Sequence, residues 1–251
     1  MANIVAVTGA DSGLGKFIAD ALSFQPDTYV IPVNGPSCPG GFDLTNMEQI
    51  FEAAEYIRSH IFTNTDVDGR DYRILVNCAG ANYIEWFDQL DWHQWDRLMN
   101  LNAKAGIALT QELIGEGILN GSWFKDSGAV LNIISNASHM PMTNSVFYNA
   151  SKGAFHIATL AMARELRKSH KLTVFGISPN KLSGTGMSSY IEDRVPSLRG
   201  WTKEEAAAYQ INSLPAGEET DPKELADFIS YLLSKPQRHK YLTNTVIPYG
   251  A

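Results

Sequence analysis

The chain has 251 residues, 44% of them hydrophobic and 19% charged, with a formal net charge of −7. That length can bury a large core, and the composition is that of a globular protein rather than a disordered or membrane-embedded one. The acidic balance gives no support for nucleic-acid or anionic-membrane binding, and Cys38 and Cys78, the only cysteines, make neither a disulfide framework nor a metal cluster.

The segment from Met1 to Val7 carries no basic leader and enters a strand at once. No apolar run approaches the roughly 20 residues needed to cross a bilayer. A cytoplasmic enzyme is the default expectation.

In chain order, Ile4–Val7 forms a buried strand, and Leu14, Phe17, Ile18, Ala21 and Leu22 then recur at helical spacing. Tyr29–Val33 is a second strand. Thr45 with Glu48 three residues on has the pattern of a capping box, opening a helix with Ile50, Phe51, Ala54 and Ile57 on one face. Ile74–Asn77 is a strand. Asp91 caps a long helix reaching to about Leu119, with Trp95, Leu98, Asn102, Ala105 and Leu109 sharing a face. Ala129–Ile134 is a strand, Tyr148 to about Lys168 a helix, and Leu172–Ile177 a strand. Asp221 precedes Pro222 at a first helical position, and Thr245–Pro248 makes a last short strand.

This alternation predicts an α/β fold: a Rossmann-like, doubly wound parallel sheet in a single domain spanning 1–251. The stretch 181–215 breaks the rhythm. Its placement favours a substrate-covering lid over a plain surface excursion.

Between the first strand and helix lie Gly9, Asp11, Ser12, Gly13, Leu14 and Gly15, with the glycines spaced Gly-x-x-x-Gly-x-Gly. Glycines there allow a tight turn and close approach of a pyrophosphate. The following helix N-terminus offers unpaired N–H groups and the positive end of its dipole. A purely structural turn is the alternative.

Tyr148 and Lys152 are four residues apart, on one face of their helix. A free phenol, with a pKa near 10, is a poor base at neutral pH. A nearby ammonium favours the phenolate, so the pair forms a general acid/base. The same face continues through Phe155, Thr159, Met162 and Leu166, which predicts a buried lysine. Ser135 ends the strand thirteen residues before Tyr148, with Ser138 as its local competitor. Asn102 is an amide on an apolar stripe and needs partners when buried.

Together, Thr8-Gly9-x-x-x-Gly13-x-Gly15, Asn77-Cys78-Ala79-Gly80 and Tyr148-x-x-x-Lys152 resemble the short-chain dehydrogenase/reductase family over nearly the whole chain. The resemblance implies a catalytic tetrad of Asn102, Ser135, Tyr148 and Lys152. In it Ser135 holds the substrate oxygen, Tyr148 exchanges the proton, and Lys152 lowers the Tyr148 pKa and contacts the cofactor ribose. Asn102 bends its helix and holds a water connecting to the lysine. It further implies that Asn77, Ala79 and Gly80 lie beside a nicotinamide dinucleotide, with Asp43 and Leu44 near the adenine. The implied activity is NAD(P)-dependent interconversion of a hydroxyl and a carbonyl on a small molecule. The alternatives are a dehydratase or epimerase on the same fold, and a catalytically silent cofactor sensor or scaffold.

The chain departs from the family pattern in four places. Only nine residues separate Val33 from Asp43, so the helix between the second and third strands is expected to be missing. Asn34 stands where NAD-preferring members carry an acid. NADP-preferring members place Arg or Lys there or in the glycine loop, which here holds Asp11 and Ser12. Asp11 would repel a 2′-phosphate if it points that way, which tips the expectation from NAD or NADP toward NAD. Pro179-Asn180 replaces Pro-Gly, with Thr185 assigned near the carboxamide; Asn180 forfeits a glycine's freedom at positive φ. The C-terminal Val246–Ala251 lacks the family's acid.

His139, Met140, Asn144 and Phe147 fall where the family lines its substrate pocket. Trp86, Trp92 and Trp95 are read as packing or subunit contact. Ala150, Ala154, Ala158 and Ala161 give the Tyr148 helix a small-residue flank, through which the family forms homodimers or homotetramers. The histidines have no ligand spacing with a carboxylate, so no catalytic metal is expected.

Overall fold

A computed structural model describes residues 3–60, 72–115, 122–124, 128–234 and 236–250. Six strands form one parallel sheet: β1 (Asn3–Thr8), β2 (Thr28–Val33), β3 (Tyr72–Asn77), β4 (Gly128–Ile133), β5 (Thr173–Pro179) and β6 (Val246–Tyr249), in the order β2-β1-β3-β4-β5-β6. Both faces are covered. Against one pack α1 (Gly13–Ser23) and α8 (Pro222–Leu233), through Leu14, Ile18, Leu22, Leu225, Ile229 and Leu233. Against the other pack α2 (Met47–Ser59), α4 (Ala105–Ile114) and α5 (Val146–Ser169), through Ile50, Ala54, Ile57, Leu109, Leu113 and Ala163. The strand order reverses between β1 and β3. In such folds ligands bind outside the carboxyl ends of the strands at that point.

As the short spacing indicates, no helix lies between β2 and Asp43. The segment from Asn34 to Asn46 contains no strand either, so β2 is the edge of the described sheet. Its turns close on themselves through Gly35, Cys38 and Gly41. The cap of α2 is Asn46, whose side chain accepts from the Glu48 N–H at 2.8 Å. Thr45 does not take that role: its hydroxyl and N–H are both held by Asp43.

The helix opened by Asp91 is broken in two. α3 (Trp92–Met99) passes into a π-helical turn, Asn100–Lys104, before α4, which ends at Ile114; the expected continuation to Leu119 lies outside the described residues. Between β5 and α8 stand α6 (Gly186–Arg199) and α7 (Lys203–Asn212). α6 is tied to the segment after β3. The Ile84 N–H donates to the Tyr190 hydroxyl at 3.1 Å, Trp86 Nε1 donates to the Leu198 carbonyl at 3.2 Å, and Arg194 pairs with Glu85. Among the described residues no helix is long and apolar enough to cross a membrane.

Candidate active site

A cleft of about 910 Å³ opens at the carboxyl ends of the strands. Its wall at one end is the turn after β1. Gly9 and Gly13 have φ of +69° and +50°, and a Cβ on Gly15 would lie 2.1 Å from the Gly9 carbonyl oxygen. Only glycine fits these positions without strain or clash. Ser12 is the N-cap of α1 but makes no side-chain cap, so the first-turn N–H groups keep their capacity for an anion. Thr8 Oγ1 accepts from the N–H groups of Cys78 and Ala79 at 2.9 and 3.1 Å, holding the β1 and β3 turns together. These features fit the diphosphate of a dinucleotide.

Asp11 points across the turn and accepts from the Gly35 N–H at 2.8 Å. Asn34, Asp43 and Leu44 line the same end of the cleft, as do Ala79 and Gly80 further in and Pro179 and Thr185 opposite.

Ser135, Tyr148 and Lys152 line the cleft together. Ser135 caps a short 3-10 turn, accepting from the Ala137 N–H at 3.2 Å. Ser138 turns elsewhere, bonding the rings of His139 and His156 at 3.1 and 2.9 Å, and does not line the cleft. Lys152 is buried, as the apolar stripe on its helix predicts, and donates to the Ile133 carbonyl at 3.0 Å. Burial lowers its pKa to about 8, an effect opposed by the neighbouring Cys78. Burial in turn pushes the Cys78 thiol up to about 12, with Lys152 opposing.

The expectation that Lys152 lowers the Tyr148 pKa is not what the protein's own groups produce. Burial raises Tyr148 above its ordinary value, and hydrogen bonding with the Ser135 side chain is what pulls against it. Desolvation of the phenolate dominates, while the ammonium is directed at the Ile133 carbonyl.

Two residues assigned to the site lie behind it. The Asn102 side chain sits in the π turn and closes a ring with Ala81, accepting from its N–H at 2.8 Å and donating to its carbonyl at 2.9 Å. It also donates to Ser151 Oγ at 3.0 Å. A Cβ on Gly80 would meet Asn102 Oδ1 at 3.2 Å and Lys152 Nζ at 3.4 Å, so both side chains crowd Gly80, and Asn102 does not line the cleft. Asn77 does not line it either. Its Nδ2 donates to Asn132 Oδ1 at 2.9 Å, and Asn132 continues to Thr159 at 2.8 Å, binding β3 and β4 to α5.

Asn180 has no positive φ. Its amide donates to the Gly250 carbonyl at 2.8 Å and accepts from Thr220 Oγ1 at 2.5 Å, ties a glycine could not make. Of the loop residues before Tyr148, Met140 lines the cleft, whereas His139, Asn144 and Phe147 do not. Phe147 is packed by Trp92 and Trp95 at ring distances of 5.3 and 5.2 Å, so these tryptophans act in packing.

The residues from α6 and α7 that close the far end were not singled out from the sequence: Met187, Ile191, Val195, Arg199 and Tyr209. Arg199 followed by Gly200 is a generic helix-stop signature, which hides any second role.

A family model described as short chain dehydrogenase matches residues 38–195. Sorbitol-6-phosphate 2-dehydrogenase of Klebsiella pneumoniae is 26% identical, over 96% of this chain and 92% of the relative. L-xylulose reductase of Mesocricetus auratus is 26% identical over the same shares. Among solved structures, a variant of actinorhodin polyketide ketoreductase with NADPH superposes with a TM-score of 0.83 at 20% identity, covering 98% and 95% of the two chains. L-sorbose reductase from Gluconobacter frateurii, complexed with NADPH and L-sorbose, superposes with a TM-score of 0.80 at 19% identity, covering 99% and 95%.

Proposed function

The chain belongs to the short-chain dehydrogenase family, and on that premise we propose that it interconverts a hydroxyl and a carbonyl on a small polyol-like substrate with a nicotinamide dinucleotide. The observation that carries this is the convergence of Ser135, Tyr148 and Lys152 on the cleft that the glycine turn closes. The bound nucleotide would supply or accept the hydride. Gly9, Ser12, Gly13, Leu14 and Gly15 hold its diphosphate, Asn34, Asp43 and Leu44 its adenosine, and Ala79, Gly80, Pro179 and Thr185 its nicotinamide half.

Ser135 donates to the substrate oxygen and orients it toward Tyr148. Tyr148 moves the proton at its phenolic oxygen. With its pKa raised by burial, Tyr148 is held as the phenol through neutral pH and is poised as a proton donor, which favours carbonyl reduction there. Lys152 brings a positive charge to the ribose side of the cleft, and Asn102 fixes the Ala81 turn against it.

Asp11 favours NAD over NADP. Position 34 at the end of β2 has no acid, but the Asp11 carboxylate reaches the next residue, Gly35, and places a negative charge at that end of the strand. α6 forms a wall of the substrate end and α7 covers it. Lys181 Nζ ties that cover down, meeting Glu192 at 3.0 Å, Gln210 at 2.6 Å and Glu219 at 2.5 Å. The α5 flank bearing Ala154 and Ala161 also exposes Ile157, 67% accessible, and serves contact with a second copy of the chain.

Titration with NADH and NADPH followed by a panel of alcohols and ketones tests the reading. Failure to bind either nucleotide, or binding with no turnover of any carbonyl, would sink it.

A further inference from the structure

Four cations line the cleft: Arg97, Lys152, Lys181 and Arg199. Lys152 belongs to the reacting centre. Lys181 is neutralised by Glu192 and Glu219. Arg97 is exposed at the mouth and donates to Gln94. Arg199 differs from all three, because it is partly buried and precisely held yet meets no carboxylate among the described residues.

What holds Arg199 positions it without neutralising it. Its Nε donates to Asn144 Oδ1 at 3.1 Å, and its guanidinium lies 4.7 Å from the Trp201 ring centre and 5.0 Å from that of Tyr209. Asn144 is buried, adopts φ of +65°, and lies four residues before Tyr148, just ahead of α5. The Asn144 carbonyl also accepts from the Glu85 N–H at 2.9 Å. The guanidinium is thereby registered to the loop that leads into the reacting tyrosine. Five residues earlier on α6, Arg194 has Glu85 as its counter-ion; the fold therefore supplies an acid to one arginine of this helix and withholds it from the other.

The Nη groups of Arg199 bond no described residue. Ile84, Met142, Met187, Ile191 and Val195 make the adjoining walls apolar, and such walls strengthen a charge pair. The two carboxylates that line the cleft, Asp11 and Asp43, belong to the glycine turn and the segment after β2, at the other end.

A guanidinium is a permanent cation whose planar fork matches a carboxylate or phosphate with two parallel hydrogen bonds. We infer that Arg199 binds an anionic group on the substrate, a carboxylate or a phosphate, and so makes the enzyme select acidic or phosphorylated polyols and ketoses over neutral ones. This rests on the oxidoreductase reading for the word substrate; the anion site itself does not.

Two measurements test it. In the first, sulfate is titrated calorimetrically into the wild-type chain and into the Arg199→Met, Arg199→Lys and Lys203→Met variants, with and without reduced nucleotide. A sulfate site at least tenfold weaker in R199M, partly restored in R199K and unchanged in K203M supports the inference; K203M removes an equal charge from α7 outside the cleft. The absence of any Arg199-dependent sulfate binding overturns it. If R199M does not fold, R199K against K203M decides.

In the second, kcat/KM is compared for sorbitol, sorbitol 6-phosphate and gluconate. A preference of roughly 100-fold for one of the anions is expected, of the order of a charged hydrogen-bonded contact. R199M should reduce the preference to near unity through KM, with little change for sorbitol. An equal loss on neutral and anionic substrates, or a wild type with no preference, overturns the inference. Where no probe is turned over, the sulfate titration stands as the deciding result. Failure of nucleotide binding sinks the oxidoreductase reading alone, because the sulfate comparison is also made on the nucleotide-free chain.

Discussion

The Asp11 carboxylate accepts a hydrogen bond at 2.8 Å from the backbone N–H of Gly35, joining the glycine turn to the end of β2 across 24 positions of chain. This bond puts a negative charge one residue beyond Asn34, at the edge of the cleft. It also gives the carboxylate a fixed direction.

Asp11→Asn keeps an acceptor for Gly35 and removes the charge. The ratio of NADPH to NADH dissociation constants should shift toward NADPH by about tenfold, equivalent to about 1.4 kcal/mol. Fluorescence titration of the two nucleotides measures it. An unchanged ratio would mean that Asp11 does not govern the choice.

Tyr148→Phe removes the exchangeable proton and little else, since the ring stays packed. Turnover should fall by at least about 100-fold, the lower bound for a positioned acid/base. Nucleotide affinity should stay within a few-fold. Retained turnover would refute the proton-handling role.

The pH profile follows from two displaced groups. Lys152, lowered to about 8, is charged below that pH and neutral above it. Tyr148, raised by burial, remains a phenol through the same range. Reductive kcat/KM needs both groups protonated, so it should be level below about pH 8 and fall as pH rises through that value. Lys152→Met should abolish the inflection; a profile that rises through pH 8 would contradict the assignment.

Asn77→Ala should act on stability and not on the cofactor. It removes the Asn77–Asn132 bond between buried strands and leaves Asn132 short of a partner, at a cost of about 1–3 kcal/mol. Urea unfolding should show the loss while the nucleotide dissociation constant holds. A weakened nucleotide with unchanged stability would return Asn77 to the binding site.

Lys181→Met leaves Glu192 and Glu219 without their shared cation. The α7 cover should loosen, raising KM for the substrate several-fold with nucleotide affinity unchanged. Equal substrate KM in the variant would show that the cover is held by other contacts.

Much of the site was legible because its signals are local. The spacing of Gly9, Gly13 and Gly15 and the four-residue step from Tyr148 to Lys152 are properties of one turn and one helix, each fully determined by neighbours in the chain. Alternating periods identify the strands and helices for the same reason. The buried face of α5 likewise predicted a buried Lys152, since a side chain aligned with Phe155 and Thr159 shares their environment. Local patterns misled where two capping choices compete, as at Thr45 and Asn46, because Asp43 takes the threonine first.

The sequence by itself therefore determined the alternating architecture, the glycine turn and the placement of Tyr148 and Lys152 on one helix. Tertiary structure alone decided where Asp11 points, that Asn77 faces Asn132, that burial raises Tyr148, and that Arg199 reaches Asn144 without meeting an acid. The physical reason is distance along the chain. The Asn77 and Arg199 contacts each join residues 55 positions apart, and the cost of burying a charge depends on every element packed around it. No local period or spacing encodes either quantity.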